Sequence, residues 1–123
     1  MLEVYSTDLD ITAETFIPFN NVSLKKGCTA ELSGTSTITL NKCGVYMVSV
    51  DASAAASTTI QLYKDGIAQP QAQGTGTTPT FTTLVQVPEN NSCCPCASGV
   101  SLQLMNSTAT VLNDVNCVIT KIV

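Results

Sequence analysis

The sequence predicts an all-β fold of two antiparallel sheets packed face to face. Three observations carry this. Short runs rich in Thr, Val, Ile and Ser alternate with turn residues at close intervals, and helix signals are weak throughout. Three of the runs are apolar on one face only. Three others are apolar on both faces, at least along part of their length, and such strands need cover on both sides.

Residues 2–6 form the first candidate strand. Residues 16–21, Phe-Ile-Pro-Phe-Asn-Asn, follow a polar link and suit an edge, because Pro18 lacks the N–H that a central strand donates. Residues 29–32 and 35–40 make two short strands broken at Ser33-Gly34. Residues 44–54 form the longest strand. Residues 58–64 run into the turn pair Asp65-Gly66, and residues 67–73 return, with Pro70 marking an edge or bulge. Residues 74–79 read as a flexible loop. Residues 80–87 form a strand closed by Pro88-Glu89-Asn90-Asn91. After the cysteine loop at 93–96, residues 100–105 and 116–123 complete the set.

The faces sort these strands. Ile38 and Leu40 oppose Thr37 and Thr39. Ile60 and Leu62 oppose Thr59, Gln61 and Tyr63. Val100, Leu102 and Leu104 oppose Ser101 and Gln103. These three strands are one-sided. In the longest strand Tyr46, Val48, Val50 and Ala52 share a face, yet Val45 and Met47 occupy the other. Phe81, Val85 and Val87 oppose Leu84. Val118 and Ile122 oppose Ile119 and Val123. The expectation is one solvated sheet and one whose back is buried against another molecule. Single exposed aliphatics are ordinary on protein surfaces and offer the competing account.

At 123 residues the chain is expected to be one domain, residues 1–123, large enough for a real core. Its apolar runs are too short to span a membrane, so no membrane insertion is expected. The start, Met1-Leu2-Glu3-Val4-Tyr5, shows no basic region followed by an apolar one. No signal peptide is therefore expected, and the chain would stay inside its cell or leave by lysis or within a larger assembly. Charged residues make up 11%, the net charge is −4, and Arg and His are absent. Only Lys25 and Lys26 are adjacent cations, which argues against nucleic-acid binding. Without His, the usual Ser-His-Asp and Cys-His machinery is excluded, and no enzyme activity, cofactor or metal is expected. Asp65 belongs to a turn, and Asp8 and Asp10 to a solvated link. Asp51 shares the face of Val45 and Met47, as a solvated strand end or as a cation ligand near an assembly axis.

Ser36-Thr37-Ile38-Thr39-Leu40, then Gly44-Val45-Tyr46-Met47-Val48-Ser49-Val50, then Ile60-Gln61-Leu62-Tyr63-Lys64-Asp65-Gly66 carry a resemblance. Their order is similar to the tumour-necrosis-factor/C1q-like jelly roll, and Phe81-Thr82-Thr83-Leu84-Val85-Gln86-Val87 resembles the strand that follows. The resemblance covers roughly residues 30–123. Its nearest style is the small bacterial and bacteriophage version, as in phage head-fibre or decoration proteins and the C-terminal domains of collagen-like spore-surface proteins. The chain departs from these in lacking a collagen stalk and in carrying a cysteine cluster. The resemblance implies a homotrimer whose two-sided sheet lines the threefold axis. Val45, Met47, Leu84, Ile119 and Val123 are then the expected interface residues.

Six cysteines remain: Cys28, Cys43, Cys93, Cys94, Cys96 and Cys117. As a zinc site the cluster is poor, because no second C-x-x-C recurs. Disulfides, free structural thiols and metal all stay open. In a jelly roll successive connections alternate between the two ends. Cys43 is then expected beside Cys93, Cys94 or Cys96, and Cys28 nearer Cys117 than the cluster, which leaves a Cys28–Cys96 bridge beyond reach. The expected role is a non-enzymatic virion protein of a bacteriophage, decorating a capsid or tipping a fibre, with other virion proteins or a host surface receptor as partners. The alternative is a bacterial cell- or spore-surface module that recognises a receptor or glycan through exposed loops.

Overall fold

The structure, a computed structural model, describes residues 1–27, 29–88 and 100–123. Among these it contains strands and no helix. Sheet A runs in the order β3 (Asn21–Lys25), β1 (Leu2–Ile11), β11 (Thr110–Lys121), β6 (Gly44–Ala54), β9 (Thr80–Val87). Sheet B runs β4 (Ala30–Ser33), β5 (Thr37–Leu40), β10 (Val100–Asn106), β7 (Thr58–Lys64), β8 (Ile67–Gly76), with β2 (Thr15–Phe16) beside β10. The registered strand pairings in both sheets are antiparallel. The sheets reproduce the sorting by faces. One-sided β5, β10 and β7 are neighbours in sheet B, and two-sided β11, β6 and β9 are neighbours in sheet A.

The core lies between the sheets. Leu2, Val4, Tyr46, Val48, Val50 and Ile119 from sheet A are fully buried, as are Ile38, Leu40, Ile60, Leu62, Leu102 and Leu104 from sheet B, each 2% exposed or less. Burying one such aliphatic side chain contributes about 1.5–3 kcal/mol, so this layer supplies most of the stabilisation. The Tyr46 ring is buried with it. Its hydroxyl donates to the Lys42 carbonyl at 2.7 Å, tying down the turn that carries Cys43.

Residues 16–21 do not form one edge strand. Phe16 pairs with Met105, and beyond it the chain crosses the side of the sandwich. Ile17 and Phe19 turn into the core, and their N–H groups donate to Leu104 O at 2.8 Å and Thr35 O at 2.7 Å. Pro18 falls on the residue between, where no donor is used. Its carbonyl accepts from the buried Ser6 hydroxyl at 2.7 Å, and that hydroxyl accepts from Asn20 N at 2.9 Å. Pairing resumes at β3, which lies on the edge of sheet A beside β1.

Three strands are longer than the sequence pattern suggests. β8 continues through Gly74 to Gly76, with Thr75 opposite Thr59. β1 reaches Ile11 and β11 begins at Thr110, because the two pair along their whole length. Both lose their alternation at the same place. In β1 the inward residues are Leu2, Val4 and Ser6, then Leu9 and Ile11. In β11 they are Leu112, then Val115, Cys117 and Ile119. A step of three in each strand brackets Asp8 and Asn113, between the pairs Thr7–Asp114 and Leu9–Leu112, and against β6 the register of β11 shifts at the same place, a bulge at Asn113. Asp8 takes φ 54°, a left-handed conformation that Asp tolerates better than most residues. Asp8 is therefore a backbone device within a strand, not part of a solvated link.

This assigns a measurable cost to Asp8. Asp8→Val puts a β-branched residue at positive φ and is expected to lose about 1–3 kcal/mol, while Asp8→Gly leaves stability unchanged or slightly raised. Urea unfolding of the two variants decides it, and equal midpoints would remove the bulge from the account.

Candidate functional site

The outer face of sheet A is where the sequence-predicted residues gather. Directly opposed residues in antiparallel strands share a face, so the registers lay out its rows. Thr120, Met47 and Leu84 form one row across β11, β6 and β9. Val45 and Gln86 lie above it, with Ile122 N donating to Val45 O at 2.8 Å. Leu24, Glu3, Val118, Ser49 and Thr82 form the row below. Tyr5, Asn116, Asp51 and Thr80 follow. Met47 is 38% exposed, Leu84 60% and Ile122 49%, so the aliphatic part of the face is concentrated toward one end.

Val45, Met47 and Leu84 therefore stand together as outward neighbours. Ile119 does not join them. It pairs with Val48 and Leu2, both inward, and is fully buried in the core. Val118 occupies the outward position instead. Residues 116–123 are apolar on both faces, so alternation alone leaves their phase open, and the pairing with Val48 and Leu2 fixes it. Val123 sits at the rim, 78% exposed, and its carbonyl accepts from Lys121 Nζ at 2.9 Å. Tyr5 and Leu24, on strands that the sequence pattern left short or missed, also belong to this face.

Four acids lie on it, Glu3, Asp51, Asp114 and Asp10. The Glu3 carboxylate accepts from the Ser23 hydroxyl and from Asn116 Nδ2 at 3.2 Å, and these bonds hold its carboxyl below the usual range, Ser23 contributing most. Asp51 stands between Asn116 and Thr80. Among the described residues no group of three His, Cys, Asp or Glu is placed to hold a metal. A cleft of about 430 Å³ opens at the aliphatic end, lined by Cys43, Gly44, Val45, Gln86, Val87, Lys121 and Val123. Gly44, at φ 142°, permits its floor, since a Cβ there would meet Val123 O at 2.3 Å.

The cysteines divide. Cys43 is disulfide-bonded, and its partner lies outside the described residues, since Cys117 is a free thiol. Cys28, Cys93, Cys94 and Cys96 also lie outside the described residues, so the expected pairing of Cys43 with the cluster, and the placing of Cys28, fall there too. Cys117 departs from the expectation. It is not near an end of the sandwich but mid-strand, opposite Val4 and Val50, and fully buried, so it is no disulfide half. Burial pushes its thiol up to about 12.

No protein-family model matches the chain, and a sequence search of curated proteins finds no match. Among solved structures the chain is similar to rabbit GITRL, with TM-score 0.61 and 14% identity, covering 100% of this chain and 95% of that one. It is also similar to murine APRIL, with TM-score 0.65 and 10% identity, covering 98% of each. Both are tumour-necrosis-factor family ligands. The fold is the TNF-like jelly roll. In this jelly roll the two-sided strands form one sheet and the one-sided strands the other, as their faces require.

Cys117 offers a pH test of the core. Its folded pKa lies above its unfolded value, so its contribution is complete at neutral pH and is lost as pH rises. The loss is expected at about 1.4 kcal/mol per pH unit between roughly 8.5 and 12. Burial raises the Tyr46 phenol as well, so the comparison with Cys117→Val isolates the thiol. Urea midpoints of the variant should fall less steeply above pH 9, and the native thiol should resist alkylation at pH 8. Parallel slopes would contradict the burial.

Proposed function

We propose that this chain is a non-enzymatic module that assembles as a homotrimer through the outer face of sheet A. The observation that carries the reading is the aliphatic end of that face. Val45, Met47 and Leu84 are outward neighbours there, with Val118 one row below and Val123 at the rim. The core of an interface favours such large apolar residues over charge. The partner count of three rests on the resemblance to the TNF/C1q-like jelly roll. A structural or binding role also fits a chain without His and with few charges.

The finer reading is a bacteriophage virion protein, as a capsid decoration or fibre tip, with other virion proteins or a host receptor as partners. What supports it is the resemblance to the small phage versions, together with a surface in which Ser, Thr, Asn and Gln replace charge. Capsid or tail genes flanking the coding sequence are the expected finding. Genes for cell-wall or spore-coat assembly there would favour a cell- or spore-surface module instead.

Sedimentation equilibrium at micromolar concentration is expected to return a trimer. Met47→Asp and Leu84→Asp bury unpaired charges at the contact, at a cost of several kcal/mol each. Both should give folded monomers with unchanged far-ultraviolet dichroism. A monomeric parent protein, or trimers in both variants, would refute assembly through this face.

A further inference from the structure

The outer face of sheet B has a different chemistry, and no assembly through sheet A would cover it. Phe16 and Tyr63 meet over β10 edge to face, with ring centroids 5.4 Å apart and planes at 84°. Both rings are half-buried, whereas Phe19, Tyr46 and Phe81 are inside the core. Carboxamides surround the pair. Gln103 lies opposite Tyr63, Gln61 opposite Met105, and Gln73 opposite Gln61. Five of the six glutamines in the chain, at 61, 69, 71, 73 and 103, lie on β7, β8 and β10. That concentration separates this face from the rest of the surface.

From β5 to β8 no outward position of sheet B carries a charge. Asp65, in the turn at the rim, is engaged by Ser101 N at 2.9 Å, and Lys64 donates to Gln86 O at 3.0 Å. None of the exposed large aliphatics falls in the rows of Gln103 and Met105. A polyanion would need cations here. A protein partner would favour exposed aliphatic residues such as those of sheet A, and in these rows only the half-buried Met105 is a large aliphatic.

A neutral sugar ring fits what is present. It has an apolar C–H face, a rim of hydroxyls and no charge. An aromatic ring takes the first, and a carboxamide both donates to and accepts from the second. We infer that the outer face of sheet B, centred on Phe16, Tyr63, Gln61, Gln73 and Gln103, binds a neutral polysaccharide. The aromatic pair supplies stacking. Gln103 is already oriented, its Nε2 donating to Thr37 Oγ1 at 3.3 Å, as is Gln61, whose Nε2 donates to Gln69 O at 3.3 Å. Both carboxamide oxygens are left to accept from sugar hydroxyls. The inference rests on sheet A being the face that assembly covers.

Native affinity electrophoresis tests it, since the chain migrates as an anion of net charge −4. Gels cast with dextran, xyloglucan or galactomannan supply the neutral polymers, and hyaluronan supplies the charged control. Retardation by at least one neutral polymer is expected. Tyr63→Ala and Gln103→Ala should each weaken it by about tenfold or more, equivalent to about 1.4 kcal/mol, while Tyr63→Phe retains it. Gln73→Ala reads the same face if Tyr63→Ala does not fold. No retardation by any neutral polymer overturns the inference, as does undiminished binding by both Tyr63→Ala and Gln103→Ala, or retardation by hyaluronan alone. Sedimentation of the same variants is read separately. If Tyr63→Ala breaks the assembly, this face belongs to a second copy and the inference falls. If the parent is monomeric but still retarded through Tyr63, the trimer proposal fails while the polysaccharide site stands.

Discussion

The placement of β11 between β1 and β6 is the constraint on which the rest depends. Leu2 pairs with Ile119 and Ile119 with Val48, so sheet A joins residues more than a hundred positions apart. Until that strand is in place, β1 has no route to β6 and the core lacks one wall. Its apolar residues reach the core only because of the extra residue at Asn113. Leu112 and Val115 are three apart, and uninterrupted alternation would send one of them to solvent. The matching irregularity in β1, with Asp8 at positive φ, keeps both strands in register across the break. A ladder built from such distant pairs closes late and folds slowly.

That constraint also explains what the sequence made legible. Alternation in the uninterrupted strands sorted them correctly. Ile38, Ile60 and Leu102 lie on one-sided strands in one sheet, while Met47 and Leu84 mark the other. It failed where both faces are apolar and where the period breaks. Ile119 was assigned outward because Val118 and Ile119 are both apolar and alternation cannot choose between them, and Asp8 looked like solvated polarity where the period of β1 breaks. β3 was missed for another reason. Its residues are exposed on both faces, so no alternation exists to detect, and its pairing with β1 depends on the crossing at residues 17–20. Within the site, Val45, Met47 and Leu84 were readable from pattern alone. Tyr5, Val118 and Leu24 needed the register.

Among the described residues, charge pairing adds little to stability. The ion pair Lys25–Glu31 spans 3.8 Å with both side chains nearly half exposed, a geometry worth about 0–1 kcal/mol. Stability rests on the buried layer and on satisfied polar groups within it. Asn106 shows how this is done. It is fully buried, accepts from the Thr58 hydroxyl, and donates to Thr108 O at 2.6 Å, so the turn into β11 is anchored without charge. A core secured this way leaves both outer faces free to differ.

Under the two proposals, that difference would couple assembly to recognition. The outer face of sheet A offers Met47 and Leu84, which gain by leaving water. That of sheet B offers Tyr63, Phe16 and glutamines, which keep company with water or with something chemically like it. A neutral saccharide competes with water for the same hydrogen bonds, so a single platform of this kind binds weakly. Assembly through sheet A would turn each protomer's sheet B outward and present several copies on one particle. Linked sites raise the effective concentration of the second contact once the first has formed, and avidity can then exceed the single-site affinity by about 10²–10⁴. On the two proposals the aliphatic face and the aromatic-carboxamide face would be parts of one device: the first would set the number of sites, and the second what each site holds.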